Sequence, residues 1–266
     1  MYPLIIHQIW LQGIDKIPEK YSSNIALLKK FHHSWEYKIW DENSIKTQLG
    51  TNPEWITTYN NLKLLHQKVD YARYVILYVF GGVYIDMDVI AEKPLDSLFE
   101  KYPNYEVILS KLNSNCLESF ITCGYKECIN NGIIISVPNA FFMLQLINTI
   151  KNNYSCKYGE TDIACINRTT GPKFITKIYN DKDTNKDKIK LLHFSYLEPC
   201  FVNYCDIQPN TYMVHTHDIT WFPEWVKILV YIYAMLRQNI YTILGVIFLL
   251  IALFLINKID LKKKNL

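Results

Sequence analysis

The order of apolar and polar residues along the chain predicts helices and strands that alternate. Apolar residues that recur every three or four positions are typical of helices, whereas short apolar or alternating runs are typical of strands. By this criterion the predicted helices lie at residues 21–31, 41–49, 53–65, 65–80 and 140–151, and one more begins at 172. The predicted strands lie at residues 4–10, 35–40, 83–85, 105–110, 133–137, 191–197 and 212–216. This alternation predicts an α/β fold.

Two polar segments interrupt the periodic pattern. Residues 111–131 contain cysteines and show no sustained period, which predicts a long loop or a variable insert. Residues 181–190 carry charges of both signs and are expected to form a solvated surface linker.

The stretch at residues 66–89 carries the densest pattern. Its helix ends at Gly81, where a left-handed backbone conformation costs glycine least, and Gly82 permits a sharp reversal into the next strand. That strand, residues 83–85, is β-branched and aromatic, and it ends at Asp86 and Asp88. Two carboxylates are therefore expected at one end of a sheet.

The acid pair favours a divalent metal site. Two ionised carboxylates stay close together in a partly buried place only when a cation or a proton compensates their charge. Asp70 and Arg73 lie three positions apart on one face of the preceding helix, so an acceptor and a donor can point to what the metal holds.

The motif as a whole resembles the DxD-motif sugar transferases, which include the fungal initiating mannosyltransferases, the inositolphosphoceramide mannosyltransferases and, distantly, the glucosylating domains of clostridial toxins. The residues that carry the resemblance are Asp70, Arg73, Tyr74, Leu77, Gly81, Gly82, Tyr84, Asp86 and Asp88. The resemblance implies a single Rossmann-like nucleotide-sugar transferase domain of the GT-A type, placed at residues 1–225.

The resemblance also implies roles for residues of this motif. Asp70, Arg73 and Asp86 would be the catalytic group, with Asp70 and Arg73 also binding the donor sugar. Asp86 and Asp88 would bind Mn²⁺ or Mg²⁺, and Tyr84 would bind the nucleotide or the diphosphate.

Further site residues come from outside the motif. Trp10, at the end of the first strand, can stack on the nucleotide base, and Asn131 precedes a strand near the bound sugar in the family. Trp221 belongs to a C-terminal segment that resembles the family and is expected to contact substrate. A late histidine completes the metal site in several such enzymes, which points to His215 or else His217.

The function that the resemblance implies is metal-dependent, retaining transfer of a hexose from GDP-mannose or a UDP-hexose to a lipid or glycan acceptor. Two alternatives stay open at the level of sequence. A hydrophobic strand followed by Asp-x-Asp-Val also matches phosphotransferases of the haloacid dehalogenase type, which predicts the motif after a first strand. The other alternative is a non-catalytic, membrane-tethered carbohydrate-binding protein.

Charge and cysteine content narrow the possible partners. The net charge is +3, but residues 1–225 hold 22 Lys and Arg against 24 Asp and Glu, a balance of −2. A nucleic-acid-binding role is therefore not expected for that part. The seven cysteines form no Cys-x-x-Cys pair, so a structural zinc site is not expected, and disulfides stay open.

The C-terminal segment is apolar and then basic. Residues 240–257 are almost wholly apolar, which predicts a transmembrane helix, and residues 258–266 form a basic tail. The shorter apolar stretch at 226–239 predicts an interfacial or juxtamembrane helix. We therefore expect a membrane-anchored, single-pass protein of an ER- or Golgi-like endomembrane, with its orientation open.

Overall fold

The computed structural model describes residues 1–202, 204–219 and 222–239. Within these residues the strands are β1 (Ile5–Ile9), β2 (Glu36–Trp40), β3 (Gly82–Ile85), β4 (Val89–Ala91), β5 (Val107–Lys111), β6 (Ile129–Ser136), β7 (Ile189–Leu192), β8 (Cys200–Phe201), β9 (Tyr204–Cys205) and β10 (Met213–His215). The helices are α1 (Ser22–Phe31), α2 (Glu42–Leu49), α3 (Pro53–Asn61), α4 (Leu65–Phe80), α5 (Asp96–Lys101), α6 (Cys116–Cys123), α7 (Phe141–Asn153), α8 (Asp162–Thr169), α9 (Pro172–Tyr179) and α10 (Glu224–Gln238).

The main sheet is mixed. Within the described part of the chain it has six strands in the order β2-β1-β3-β6-β5-β7. β1 is parallel to both β2 and β3, whereas β6 runs antiparallel to β3 and β5. Helices alternate with these strands along the chain, so the predicted α/β class is confirmed.

Apolar residues on the two faces of the sheet form two separate cores. Side chains alternate along a strand, so Tyr84 of β3 faces one core while Val83 and Ile85 face the other. The core on the Tyr84 side contains residues of α2, α3, α4, α7 and α9. Tyr84 therefore points toward the same side of the sheet as α4.

Helix α4 begins and ends where the sequence predicts, but its burial differs from the prediction. The apolar periodicity predicts one buried face. In the structure, residues 70–77 are all buried, including the charged Asp70 and Arg73, whereas Leu65 is 47% exposed. The reason is that α4 packs against α3, α7, α8 and β6, so protein surrounds its middle turns.

The two glycines after α4 have positive φ angles, although Gly81, with ψ −153°, does not take the left-handed helical conformation expected of the cap. Gly81 has φ +64° and Gly82 has φ +84°. A Cβ on Gly82 would lie 2.5 Å from the carbonyl oxygen of Ile5 in β1. The absence of a side chain thus allows β3 to approach β1 closely.

The prediction of a long loop at residues 111–131 is wrong. The segment contains α6, and β6 begins at Ile129. Asn115 and Glu118 form a capping box at the start of α6, a local signal that helical periodicity alone does not detect in eight residues.

The structure also pairs Cys123 with Cys128, Cys156 with Cys165 and Cys200 with Cys205 in disulfides.

Two further boundaries differ from the sequence prediction. The linker expected at 181–190 and the strand expected at 191–197 overlap β7, which begins at Ile189 and ends at Leu192. A short 3₁₀ turn, Phe194–Tyr196, follows it. The chain reverses here because His193 caps this turn by accepting a hydrogen bond from the Ser195 backbone.

A small antiparallel ribbon brings residues 213–215 beside β4, which closely follows β3 in the chain. β10 pairs with β4, and His215 lies opposite Val89 in the register. Because β4 begins directly after Asp88, this pairing places His215 beside the acid pair.

The prediction of a membrane-spanning helix is corrected by the structure. None of the helices in the described residues combines the length and apolar character needed to cross a bilayer. The longest of them, α4, has 16 residues, about 24 Å against a hydrocarbon core of roughly 30 Å. The expected single-pass localisation is not supported by the described helices, and residues 240–257 and 258–266 lie outside the described residues.

The described chain divides into two units. One comprises Met1–Phe201 with Cys205–His217 and contains the main sheet. The other includes α10, which overlaps the predicted juxtamembrane segment at 226–239. The site described below lies within the first unit.

Candidate functional site

The acid pair lies just beyond the end of β3, where β6 and β10 also meet. The backbone N–H of Asp86 donates to the carbonyl oxygen of Gly132 in β6, at 2.9 Å. The hydroxyl and the N–H of Thr216, directly after β10, both donate to the carbonyl oxygen of Asp88, at 2.8 and 3.2 Å. Three distant segments are thus fixed around two carboxylates.

Asp86, Asp88 and His215 form a cluster that could hold a metal. One ligand atom from each lies within 4.8 Å of the others, and Nε2 of His215 is 3.3 Å from Oδ1 of Asp88. A Cβ on Gly132 would overlap Cε1 of His215 and come within 2.8 Å of Oδ2 of Asp86. The space among these ligands therefore depends on a glycine, and two carboxylates with an imidazole could together hold a divalent cation.

Glu198 is a buried carboxylate that contacts both candidate histidines. Its side chain is 0% exposed, and its oxygens lie 3.1 and 3.2 Å from Nδ1 of His215. Its Oε2 also lies 3.2 Å from Nε2 of His217, whose ring stacks on His215 at 4.1 Å. His215 belongs to the cluster with the acid pair, whereas His217 clusters with Glu198 and His215.

The charges in this cluster favour an ionised Glu198. Burial raises the pKa of the Glu198 carboxyl, but His215 and His217 more than offset it and bring that pKa down to about 2. Burial likewise opposes a charge on His215, yet Glu198 and Asp88 hold its pKa well above the usual value. The surrounding carboxylates therefore favour a positive charge at the imidazole. A proton supplies this charge when no metal ion is bound.

Arg73 joins the helix side of the site to the acid pair. Its Nη2 lies 3.0 Å from Oδ1 of Asp70, and its Nη1 lies 3.4 Å from Oδ1 of Asp86. Nη1 also donates to the carbonyl oxygen of Asn131 at 2.5 Å. The guanidinium stands over the ring of Tyr84, 4.3 Å from its centroid.

Asp70 is held by several donors despite its burial. Its Oδ1 accepts from the amide of Asn131 at 2.9 Å, and its Oδ2 accepts from the Thr170 hydroxyl at 2.8 Å. Burial raises the pKa of Asp70 to about 6, although Arg73 and these donors lower it in part. Asp70, Arg73 and Asn131 thus form one connected network.

Tyr84 lies beneath the acid pair. It is 1% exposed, and its hydroxyl donates to Oδ1 of Asp86 at 2.7 Å. Burial raises the pKa of Asp86, while Arg73 lowers it. Tyr84 and Arg73 therefore fix one oxygen of Asp86.

Trp10 lies near the same edge of the sheet but outside these contacts. It follows β1, which is parallel to β3, so both strands end on one side. The partly buried indole donates from Nε1 to the carbonyl oxygen of Lys16 at 3.1 Å and meets Tyr21 edge-on at 5.9 Å. Trp221 lies outside the described residues.

Sequence reasoning missed several residues that the structure brings to the site. No sequence pattern indicated Glu198, because a single sequence does not show whether an isolated glutamate is buried or on the surface. Asn130 and Gly132 flank the predicted Asn131. The sequence pointed to these two residues only through the predicted strand that follows the Asn-Asn-Gly run. Gln8, in the first strand, donates to the carbonyl oxygen of Asp86 at 3.2 Å.

The fold disagrees with the haloacid dehalogenase alternative. That alternative requires the acid pair after the first strand, whereas Asp86 follows β3. It also leaves Arg73 and the buried Asp70 without a role, although both lie in contact around the site.

Comparisons with known proteins agree on one family. Residues 18–115 match the model of the glycosyltransferase sugar-binding region containing a DXD motif. An uncharacterized glycosyltransferase of Acanthamoeba polyphaga mimivirus is 30% identical over 243 residues, which cover 84% of this chain and 85% of that relative. Inositol phosphoceramide mannosyltransferase 1 of Schizosaccharomyces pombe is 34% identical over 103 residues, 37% of this chain and 32% of that protein. The aligned part is thus about a third of the fungal relative.

Among solved structures, a glycosyltransferase involved in glycosylation of the major capsid of PBCV-1 superposes with a TM-score of 0.47 and 13% identity. The superposition covers 80% of this chain and 93% of that one.

Proposed function

Since the chain belongs to the glycosyltransferases whose sugar-binding region contains a DXD motif, we propose that it is a metal-dependent mannosyltransferase. In this proposal the donor is GDP-mannose, with a UDP-hexose as the alternative, and the acceptor is a lipid or a glycan. The name of the fungal relative, a mannosyltransferase acting on inositol phosphoceramide, favours mannose and a lipid acceptor. The observation that supports metal dependence best is the cluster of Asp86, Asp88 and His215.

The proposed roles follow from chemistry at the end of β3. A divalent cation held by Asp86, Asp88 and His215 would neutralise the diphosphate of the donor and the charge that develops on it as the sugar leaves. Asp86 is held for this task by Tyr84 and Arg73, which contact its Oδ1. A ligand fixed in this way loses little entropy when the cation binds.

We assign the donor sugar to the network of Asp70, Arg73 and Asn131. It combines a carboxylate, a guanidinium and an amide, which together can accept from and donate to sugar hydroxyls. The network is already hydrogen-bonded and buried, so it is preorganised in the way that favours orientation of a reacting group. Trp10 remains our candidate for stacking on the base, and Trp221 for a further contact with substrate.

We expect the reaction to retain the anomeric configuration, as the family resemblance implies. The stereochemistry can be read directly from the product formed from GDP-α-mannose. An α-linked product in the NMR spectrum agrees with retention, and a β-linked product would show inversion.

The proposal is tested by donor hydrolysis and transfer with the full chain. A panel of GDP- and UDP-sugars is incubated with Mn²⁺ or with a chelator, beside the double variant Asp86→Asn, Asp88→Asn. A matched control exists in this chain, because Asp181 and Asp183 form a second Asp-x-Asp pair that is exposed. We expect GDP-mannose turnover that needs Mn²⁺, is lost in the first variant and is unchanged in the Asp181→Asn, Asp183→Asn control.

Three results would contradict the proposal, the first two in part and the last as a whole. Turnover that persists in chelator would contradict the proposed metal dependence. Turnover of a UDP-hexose alone would contradict GDP-mannose as the donor. If a folded full chain neither binds nor hydrolyses any sugar nucleotide, the proposed activity fails as a whole.

A further inference from the structure

Glu198 is the most deeply buried acid beside the candidate metal site. Its side chain is 0% exposed, so its charge needs compensation within the protein. Its partners are the two imidazoles, with His215 Nδ1 at 3.1 Å and His217 Nε2 at 3.2 Å from Oε2. Glu198 thus reaches the metal cluster through the histidines.

The two ring nitrogens of His215 face different groups. Nδ1 lies against Glu198, and Nε2 lies 3.3 Å from Oδ1 of Asp88. A carboxylate at Nδ1 requires a proton there, so the lone pair that could bind a cation is the one on Nε2. Glu198 therefore selects the nitrogen that faces the acid pair.

Asn130 does not change this assignment. Its Nδ2 lies 3.0 Å from Nδ1 of His215, but its Oδ1 accepts from the backbone N–H groups of Asn131 and Gly132. Those bonds turn the amide N–H groups toward Nδ1, where they compete with Glu198 for that nitrogen. A charged carboxylate is a stronger partner for an N–H than a neutral group, so the proton on Nδ1 belongs to the bond with Glu198.

The backbone around Glu198 is held on both sides. The Glu198 N–H donates to the carbonyl oxygen of Phe194 at 2.7 Å, and the Asn113 amide donates to the carbonyl oxygen of Pro199 at 2.7 Å. The Tyr212 N–H, just before β10, donates to the carbonyl oxygen of Tyr196 at 2.8 Å. The turn that carries Glu198 and the strand that carries His215 are therefore fixed to each other.

We propose that Glu198 is a positioning residue that holds His215 with Nε2 directed at the cation between Asp86 and Asp88. The inference rests on the proposed metal dependence and assigns a function to a residue outside the acid pair. Carboxylates that accept the second N–H of a metal-bound histidine fix its orientation and increase its basicity.

The test measures Mn²⁺ binding to the full chain from the loss of the free-ion EPR signal, which needs no turnover. We expect Glu198→Gln to weaken Mn²⁺ binding about 10- to 100-fold, the usual effect of losing such a partner. Glu118→Gln is the matched control, since Glu118 is also buried and its carboxylate accepts from the Asn115 N–H at 2.8 Å, an acceptor role that glutamine keeps.

A second readout separates positioning from structural damage. With Glu198→Gln, the Mn²⁺ concentration needed for half-maximal turnover should rise by the same factor, while kcat at saturating Mn²⁺ recovers toward the wild-type value. A lower kcat that excess Mn²⁺ does not restore, together with unchanged Mn²⁺ affinity, would overturn the inference. If Glu198→Gln does not fold, Glu198→Asp keeps the charge but shortens the side chain, and unchanged Mn²⁺ affinity in that variant would overturn it equally.

Asp88→Asn distinguishes this arrangement from a metal bound directly by Glu198, His215 and His217. We expect Asp88→Asn to lose Mn²⁺ binding, and retention of binding would place the ion on Glu198 and refute the positioning role. Failure of the proposed function looks different, because the wild-type chain itself would then show no Mn²⁺ binding or no metal-dependent turnover.

Discussion

At the scale of single residues, Arg73 links the parts of the candidate site. Its guanidinium lies within 3.4 Å of two carboxylates, Asp70 on the same helix and Asp86 beyond β3. Asp70 and Arg73 are buried, whereas the Asp86 side chain is partly exposed. A buried charge whose partner is removed destabilises a protein far more than an exposed one.

Replacing Arg73 should therefore destabilise the fold as well as abolish activity. We expect Arg73→Met to lower the free energy of unfolding by about 3–5 kcal/mol, because Asp70 would be left buried without its cation. Arg168→Met is the control, since Arg168 pairs with Glu160 on a more exposed surface, and it should cost less than about 1 kcal/mol. Urea unfolding at neutral pH measures both, and equal losses would contradict the prediction.

Gly132 allows a prediction about the metal cluster alone. Its φ is not in the left-handed region, so alanine adds only a methyl group, which would overlap His215 and approach Asp86. We expect Gly132→Ala to remove Mn²⁺ binding while the circular dichroism spectrum keeps its wild-type form. Mn²⁺ binding of normal affinity in this variant would show that the ion does not lie between these side chains.

At the scale of elements, the site depends on how α4 turns into β3. Gly81 and Gly82 reverse the chain, and Gly82 pairs closely with β1. His7 of β1 locks the same junction, since its Nε2 donates to the Gly81 carbonyl oxygen at 3.0 Å and its Nδ1 accepts from Trp40 at 3.2 Å. Because β3 leads directly to Asp86, this junction determines where the acid pair lies.

Two glycines with nearly equal φ angles differ in what an added Cβ would meet. Gly82 and Gly124 have φ of +84° and +81°, but only Gly82 has an atom within contact of an added Cβ, the Ile5 oxygen at 2.5 Å. We expect Gly124→Ala to cost about 1 kcal/mol from backbone strain. Gly82→Ala should cost clearly more in the same thermal unfolding experiment, and similar losses would argue against a close approach of β1 and β3.

The buried His7 predicts a pH dependence of stability. Burial lowers the pKa of His7 from 6.5 to about 4, although its bond to Gly81 opposes the shift. Between these values the unfolded chain binds the proton more readily, so stability rises with pH in this window. The contribution is fully present above pH 6.5 and is lost as the pH falls through about 4.

Comparison with His7→Gln isolates this contribution, because all other histidines are common to both proteins. From pH 7 to pH 4 the wild-type chain should lose up to about 3 kcal/mol more unfolding free energy than the variant. The measurement is urea unfolding at several pH values. Parallel curves for the two proteins would show that His7 is not held neutral.

At the scale of the whole molecule, the candidate metal site forms only when the chain is folded. Asp86 and Asp88 follow β3, Gly132 lies in β6, and His215 ends β10. A ligand that binds the folded state but not the unfolded state stabilises the fold by mass action. Metal binding should therefore be visible as stability.

We expect Mn²⁺ at about 100 times its dissociation constant to raise the free energy of unfolding by about 2.7 kcal/mol. The Asp86→Asn, Asp88→Asn variant should gain nothing, and the chelator should reverse the gain in the wild-type chain. Thermal unfolding with and without Mn²⁺ measures this, and an equal gain in the variant would place the stabilising ion elsewhere.

Neighbouring residues are enough to predict the local unit at the centre of the molecule. The bounds of α4, its end at Gly81 and the acid pair after β3 all follow from them. Helix periodicity, glycine conformational freedom and strand propensity act over a few residues, so one sequence is enough to read them. The predicted loop that contains α6 failed where the local signal was a single capping box.

The surroundings of that unit depend on packing between distant parts of the chain. The pairing of β10 with β4 placed His215, rather than His217, in the cluster with the acid pair. Burial of α4 on all sides turned Asp70 and Arg73 into a core network, and the turn before β8 brought Glu198 to the histidines. These contacts join residues far apart in the chain, and their formation depends on packing between elements, which no local pattern records.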